Sequence, residues 1–388
     1  MTIGDQLTQT AATRLAEQQA RGPHQSTVAE LLGDLPSGSF AFVMATGIVS
    51  IAAALADFGW IARFLLMVNI GAFALLCLLT LCGLMLRPAA FIAELRDHRR
   101  GPSVLTVVAA TNVLGDQIAL LTPHQDIAAA LWLAGGALWI GLVYCLFAAL
   151  TITPAKPSLA TGLNGAWLLI VVAPQSSAIL GAQIARPISS PDLVIYASVS
   201  LHLLGSLFYL VIIAFVLYRW LLEPLSPEQF TPSYWITMGA AAITTLAGVR
   251  LGIAVATDPP LAAMRAYLIG EAMLFWSVAS WWIPLLAGLM LWRHLIRRIR
   301  LAYHFDYWSM VFPLAMYAAA TFSFAQMIGV EFLNAVPLFF FGAAMAVWCL
   351  TFLGMTRRIA GVIPRLLASS AATQTLTKSL GSGTAKDK

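Results

Sequence analysis

Hydrophobic residues run along this chain in long, uniform blocks separated by short polar breaks. Ten blocks approach the roughly 20 apolar residues that a helix needs to cross a bilayer core. They cover residues 37–57, 61–86, 103–121, 127–151, 160–184, 192–219, 234–256, 261–292, 308–329 and 333–355. A membrane-barrel strand would alternate with period two over about ten residues. These blocks are longer and apolar on every side, so the pattern predicts ten transmembrane helices and an all-α integral membrane protein. Residues 1–35 are polar and form an expected cytoplasmic N-terminal segment, with an amphipathic surface helix over Thr27 to Leu35 and no cleavable signal peptide. Residues 36–356 form the expected transmembrane domain. Residues 357–388 form the expected cytoplasmic tail, largely disordered because Ser, Thr, Gly and Lys dominate from Ala368 onward.

Within this framework, odd and even segments differ. Odd segments carry small and polar residues around a helix breaker, as in GSFAFVMATGIVS (38–50), LTVVAATNVLGDQ (105–117), NGAWLLIVVAPQSSAILG (164–181), YWITMGAAAITTLAG (234–248) and WSMVFPLAMYAAATF (308–322). The breakers are Gly47, Gly115, Pro174, Gly239 and Pro313. Even segments are bulkier and greasier, such as FLLMVNIGAFALLCLLTLCGLM (64–85). A helix facing lipid gains by being apolar, whereas one lining a wet path tolerates hydroxyls, amides and breaks. The alternation predicts five helical hairpins around a central pore, with odd helices inside and even helices outside. The competing reading is that small residues only let helices approach closely.

Composition and charge sharpen this picture. Of 388 residues, 60% are hydrophobic and 10% charged, and the mean hydropathy is +0.83. Soluble domains carry about 25% charged residues, so a soluble globular protein is excluded. The net charge of +5 looks like a nucleic-acid signal, but its distribution says otherwise. Arg87, Arg96, Arg99, Arg100, Lys156, Arg219, Arg293, Arg297, Arg298, Arg300, Arg357, Arg358 and Arg365 follow even segments. The opposite loops hold Arg63, Arg186 and Arg265, with Arg250 near the end of segment seven. By the positive-inside rule both termini are cytoplasmic, in a cell (plasma or inner) membrane, with no nucleic-acid partner. Cys77, Cys82, Cys145 and Cys349 sit in apolar runs without metal-site spacing. HExxH, GxSxG and CxxC are absent. No cofactor, metal site or catalytic residue is expected, and an intramembrane enzyme or a sensor is the weaker reading.

Segments PSGSFAFVMATGIVS, NGAWLLIVVAPQSSAILG, YWITMGAAAITTLAG and WSMVFPLAMY resemble the tellurite-resistance/C4-dicarboxylate transporter (TDT) family, which includes plant slow-type anion channels and yeast malate and sulfite transporters. The resemblance covers roughly residues 36–356. It implies transport of small anions (malate, tellurite, sulfite, nitrate or chloride), a homotrimer with one pore per protomer, and a phenylalanine gate on the ninth helix. The matching position is Phe312, beside Pro313; a phenyl ring at a proline kink can plug a narrow path by sterics and dewetting. Phe40 and Phe42 are rival positions, and a packed core ring is the plain alternative.

Lys and Arg are missing from the inner stretches of the odd segments, so anion selection falls to hydroxyls, amides and helix dipoles. The candidates are Thr46, Thr111, Asn112, Gln175, Ser176, Thr244, Thr245 and Thr321, each of which can instead pack or bond back to its own helix. Glu271 is the acidic residue deep inside segment eight. It is expected to pair with Arg250 or Arg265, to stay protonated, or to carry protons in a proton-coupled dicarboxylate or sulfite transporter. His202 is expected to bond to a neighbouring helix, and Asp116 to lie at a helix end or outer mouth.

Overall fold

Each odd-numbered span begins with one tight 3₁₀ turn. These turns are Ser37–Phe40, Gly101–Leu105, Gly165–Leu168, Pro232–Trp235 and Phe305–Tyr307. Their residues suit the position. Pro102 and Pro232 fall where the first N–H groups of a helix have no partner, so proline loses nothing there. Asn164 caps its turn by accepting from the Ala166 N–H at 2.9 Å. The computed structural model describes residues 37–185, 191–257 and 260–383. The expected N-terminal segment and Arg186 lie outside the described residues.

Ten apolar helices follow the predicted blocks to within a few residues at most ends: α1 (Gly38–Leu55), α2 (Gly59–Leu86), α3 (Gly101–Leu121), α4 (Gln125–Ile152), α5 (Gly165–Ile184), α6 (Pro191–Leu222), α7 (Pro232–Ala254), α8 (Ala262–Ile296), α9 (Phe305–Ile328) and α10 (Glu331–Gly361). A short helix, Pro88–Arg96, follows α2 and is exposed apart from Leu95, Phe91 and Glu94 being partly covered. The helix containing α10 is continuous from Ala335 to Gly383, through the stretch expected from composition to be a disordered tail. Leu, Ala, Gln and Lys in that stretch are good helix formers.

The odd helices pack side by side in a closed ring: α1 on α3, α3 on α5, α5 on α7, α7 on α9, and α9 back on α1. Each even helix packs on the odd helix before it. Burial follows the same alternation. Within the most apolar 18 residues of each span, 78–89% of the residues are buried in the odd helices against 17–39% in the even ones. The exposed even faces carry large apolar residues such as Phe64, Leu78, Leu133, Leu210, Met273 and Phe339, which is the surface lipid favours.

Glycine makes four of the five ring contacts. A Cβ on Gly47 would lie 2.4 Å from Val113 Cγ1, one on Gly115 2.5 Å from Leu180 Cδ2, one on Gly165 2.0 Å from the Ser233 carbonyl oxygen, and one on Gly239 2.8 Å from Pro313 Cγ. The fifth contact, α9 on α1, is aromatic: Phe42 meets Trp308 edge-on at 4.7 Å between ring centres. With no hydrophobic drive between helices in lipid, such close packing and interhelical hydrogen bonds hold the bundle.

The loops at the start of the odd helices are tied down by polar contacts. Arg219 at the end of α6 is buried, donates from Nε and Nη2 to the Ala160 carbonyl at 3.0 and 2.7 Å, and lies 5.5 Å from the Tyr234 ring centre. Trp167 Nε1 donates to the His98 carbonyl at 2.8 Å. Replacing Arg219 by Ala is expected to cost about 2–3 kcal/mol, because charged hydrogen bonds contribute roughly that much. Arg219→Lys is expected to recover little, since one ammonium cannot present the same planar fork. Thermal unfolding in detergent checks both.

Candidate functional site

All five odd helices meet at one small cavity with room for little more than a water molecule. Ile48 and Ile51 of α1, Asn112, Val113 and Asp116 of α3, Ser176 and Ile179 of α5, Ile243 and Leu246 of α7, and Met316 of α9 line it. The site is polar on the α3–α5 side and apolar elsewhere. Asn112 Nδ2 donates to Ser177 Oγ at 2.8 Å, to Ser176 Oγ at 3.3 Å and to the Val108 carbonyl at 3.0 Å. Its Oδ1 is buried without a hydrogen-bond partner. Gly135 of α4 makes room for this amide, since a Cβ there would meet Asn112 Oδ1 at 2.6 Å.

The predicted polar residues separate into three groups. Asn112 and Ser176 line the cavity. Thr111, Thr244 and Thr245 are buried and donate to carbonyls one turn back, Val107, Ala240 and Ala241, at 2.7–3.0 Å. Thr46, Gln175 and Thr321 are bonded to outer helices. Thr46 Oγ1 accepts from Trp348 Nε1 of α10 at 3.0 Å, and Thr321 Oγ1 accepts from Trp276 Nε1 of α8 at 3.1 Å. The breaker residues Gly47, Gly115, Pro174, Gly239 and Pro313 all lie within continuous helices. The glycines and Pro313 belong to the close ring contacts described above.

Phe312 is completely buried on α9. It stands one turn, about 6 Å along the axis, before cavity-lining Met316, and its neighbour Pro313 abuts Gly239. The rival rings are engaged elsewhere. Phe40 packs edge-on against Phe73 of α2 at 6.0 Å, and Phe42 against Trp308 and Phe352. Among the described residues Phe312 has no ring–ring partner of this kind.

Glu271 pairs with neither arginine considered from the sequence. Its Oε2 lies 3.3 Å from His202 Nε2, so α8 contacts α6 through a buried acid–imidazole pair. His202 Nδ1 donates in turn to Gln175 Oε1 of α5 at 2.8 Å. The amide orientation fixes this direction, because Gln175 Nε2 donates to the His202 carbonyl at 3.1 Å and lies 3.5 Å from Ser206 Oγ. Neither His202 Nε2 nor Glu271 Oε2 makes a hydrogen bond of good geometry, so the two groups face each other across 3.3 Å. A Cβ at Gly205 would meet Gln175 Nε2 at 2.8 Å, so that glycine admits the amide. Sequence reasoning had His202 and Gln175 separately; their pairing across α5 and α6 carries no local signal in the chain.

Asp116 lies on the cavity wall near the end of α3 and is 4% exposed. Its spacing of four from Asn112 was the available signal, since residues one turn apart share a helix face. Among the described residues no group of three or more His, Cys, Asp or Glu side chains is arranged to hold a metal.

Ten apolar helices, with a buried polar-bearing ring inside and a greasy layer outside, define a multi-pass membrane protein. The chain belongs to the voltage-dependent anion channel family (SLAC1), whose sequence model matches residues 34–356. It is 22% identical to an uncharacterised transporter of Methanocaldococcus jannaschii over 331 residues, 83% of this chain and 94% of that protein. It is 36% identical to an uncharacterised membrane protein of Mycobacterium tuberculosis over 163 residues, 42% of this chain and 82% of that protein. Membership places it among anion channels and transporters.

Proposed function

We propose that the chain carries small anions passively through the centre of the ring formed by α1, α3, α5, α7 and α9, with Phe312 as the gate. The observation that carries this reading is a cavity lined by all five odd helices. That wall has hydroxyl, amide and carboxyl groups from Ser176, Asn112 and Asp116 but no fixed cation, so an anion is held weakly and released quickly. The cavity's narrowness fits a closed state. The odd helices run from cytoplasm to exterior in this reading, with both termini cytoplasmic, and the protein assembles as a homotrimer with one path per protomer. Anion flux into proteoliposomes, with chloride, nitrate, sulfite, malate and tellurite in parallel, tests it: the ranking names the substrate class, and no flux of any of them rejects passive conduction.

A second reading, proton-coupled transport, is favoured by one specific observation. Gln175, His202 and Glu271 follow one another from an inner helix to two outer ones, and the last two are ionisable groups 3.3 Å apart. If they couple transport, an imposed proton gradient drives malate or sulfite uphill in wild type, and Glu271→Gln abolishes that accumulation while passive flux persists. Equal accumulation by the variant assigns Glu271 to holding α6 and α8 together.

A further inference from the structure

We propose that Asp116 is a proton-binding site in the anion path, and that anions pass it while it carries a proton. The inference rests on the conduction reading above and deepens it. Asp116 follows Asn112 by one turn of α3, and both line the central cavity. The carboxyl is 4% exposed, and its Oδ1 is sealed from solvent without a hydrogen-bond partner. The wall around it is largely aliphatic: Val113 from its own helix, Ile48 and Ile51 from α1, Ile179 from α5, Leu246 from α7.

The helices packed around Asp116 bring it little charge. α1, α5 and α9 place no titratable group on the cavity wall. α2 presents the neutral amide of Asn69, which donates to Gln117, and α4 presents Leu131 against Gly115. α7 supplies Arg250, whose charge acts on Asp116 from the same end of the ring. Yet among the described residues no ion pair joins the two, and Arg250 Nε is itself buried without a hydrogen-bond partner.

An ionised carboxylate in so narrow and apolar a space excludes a second negative charge. At about 4 Å and an effective dielectric constant of about 20, the penalty corresponds to roughly a thousandfold loss of occupancy. Protonation reverses the chemistry. The charge disappears, and the carboxyl O–H becomes a donor aimed into a cavity whose other polar groups are Asn112 and Ser176. The proton is taken from and returned to water at the cavity; no bond of the anion is made or broken. The consequence is an anion path that opens to traffic as pH falls.

The test uses the full chain in proteoliposomes with nitrate, whose own charge does not change over the range studied. Wild-type flux is expected to rise at least about tenfold between about pH 8 and about pH 5, because a carboxyl enclosed by aliphatic side chains takes up its proton above the ordinary carboxylate range. Asp116→Asn, which keeps the size and cannot ionise, is expected to hold a pH-independent flux near the wild-type acid level. Asp116→Glu is expected to keep the pH dependence. Infrared difference spectra of the same samples are expected to show a protonated-carboxyl band that grows on acidification in wild type and is missing in Asp116→Asn. A parallel pH profile for wild type and Asp116→Asn, or an identical carboxyl band in both, overturns the proposal while conduction stands. Flux missing from wild type, Asp116→Asn and Phe312→Ala alike overturns the conduction reading and this proposal with it.

Discussion

Phe312→Ala is expected to raise passive anion flux by at least about tenfold, which corresponds to removing about 1.4 kcal/mol from the barrier. The ring is wholly buried on α9, one turn from the central cavity, and is held beside the rigid contact of Pro313 with Gly239. Truncation removes a large apolar plug from a narrow path, so water and ions gain room together. The same truncation lowers stability, since deleting a buried phenyl group costs about 3–5 kcal/mol when the surroundings do not collapse. Flux is therefore compared only for samples with matched thermal unfolding and elution profiles. Phe42→Ala is the control. It loses the same side chain, but that ring is spent on Trp308 and Phe352, and its removal is expected to lower stability without raising flux. If both variants conduct like wild type while folded, Phe312 is a packing residue and the gate lies elsewhere.

Gly165→Ala is expected to be the most damaging single-methyl change in the ring, at about 3 kcal/mol or more, the upper end for overpacking. A Cβ there would stand 2.0 Å from the Ser233 carbonyl oxygen, 2.4 Å from its carbon and 2.7 Å from the Tyr234 nitrogen. All three are backbone atoms, so no side chain can turn away. The entry turn of α5 would have to leave that of α7, which opens the ring where Asn164, Trp167 and Arg219 tie the loops together. Gly47→Ala meets only side-chain atoms, nearest Val113 Cγ1, and is expected to cost less. Gly136→Ala, on α4 with nothing within 4 Å, is expected to be neutral or stabilising by up to about 1 kcal/mol, because alanine suits a helix better. Melting temperatures of the three variants check the order, and equal effects at positions 165 and 136 would reject the close-approach argument.

Membership of an anion-channel family and the ten-helix plan were legible from short runs of residues, because bilayer thickness imposes a length and composition on every span regardless of its neighbours. The inner and outer layers were legible too. GSFAFVMATGIVS and FLLMVNIGAFALLCLLTLCGLM differ in what they can bury, and α1 and α2 differ accordingly in exposure. The helix of α10 runs on to Gly383, through a stretch whose composition alone predicts disorder. A polar sequence with good helix formers continues a helix that is already nucleated, at little cost per residue.

What one residue's side chain bonds to was not legible. Thr46, Gln175 and Thr321 have the same polar character as Asn112 and Ser176. The rotation of each helix about its own axis turns the first three toward Trp348, His202 and Trp276, and the other two toward the cavity. Glu271 found an imidazole 69 residues away rather than either arginine, because α6 and α8 approach each other only in the folded bundle. The chain by itself determined how many helices form, how long they are and which are built to be buried, since those properties follow from local composition and the solvent. The tertiary structure alone decided which buried polar groups face the centre, because that depends on the relative rotation and close approach of helices set by contacts such as Gly165 on Ser233 and Gly239 on Pro313.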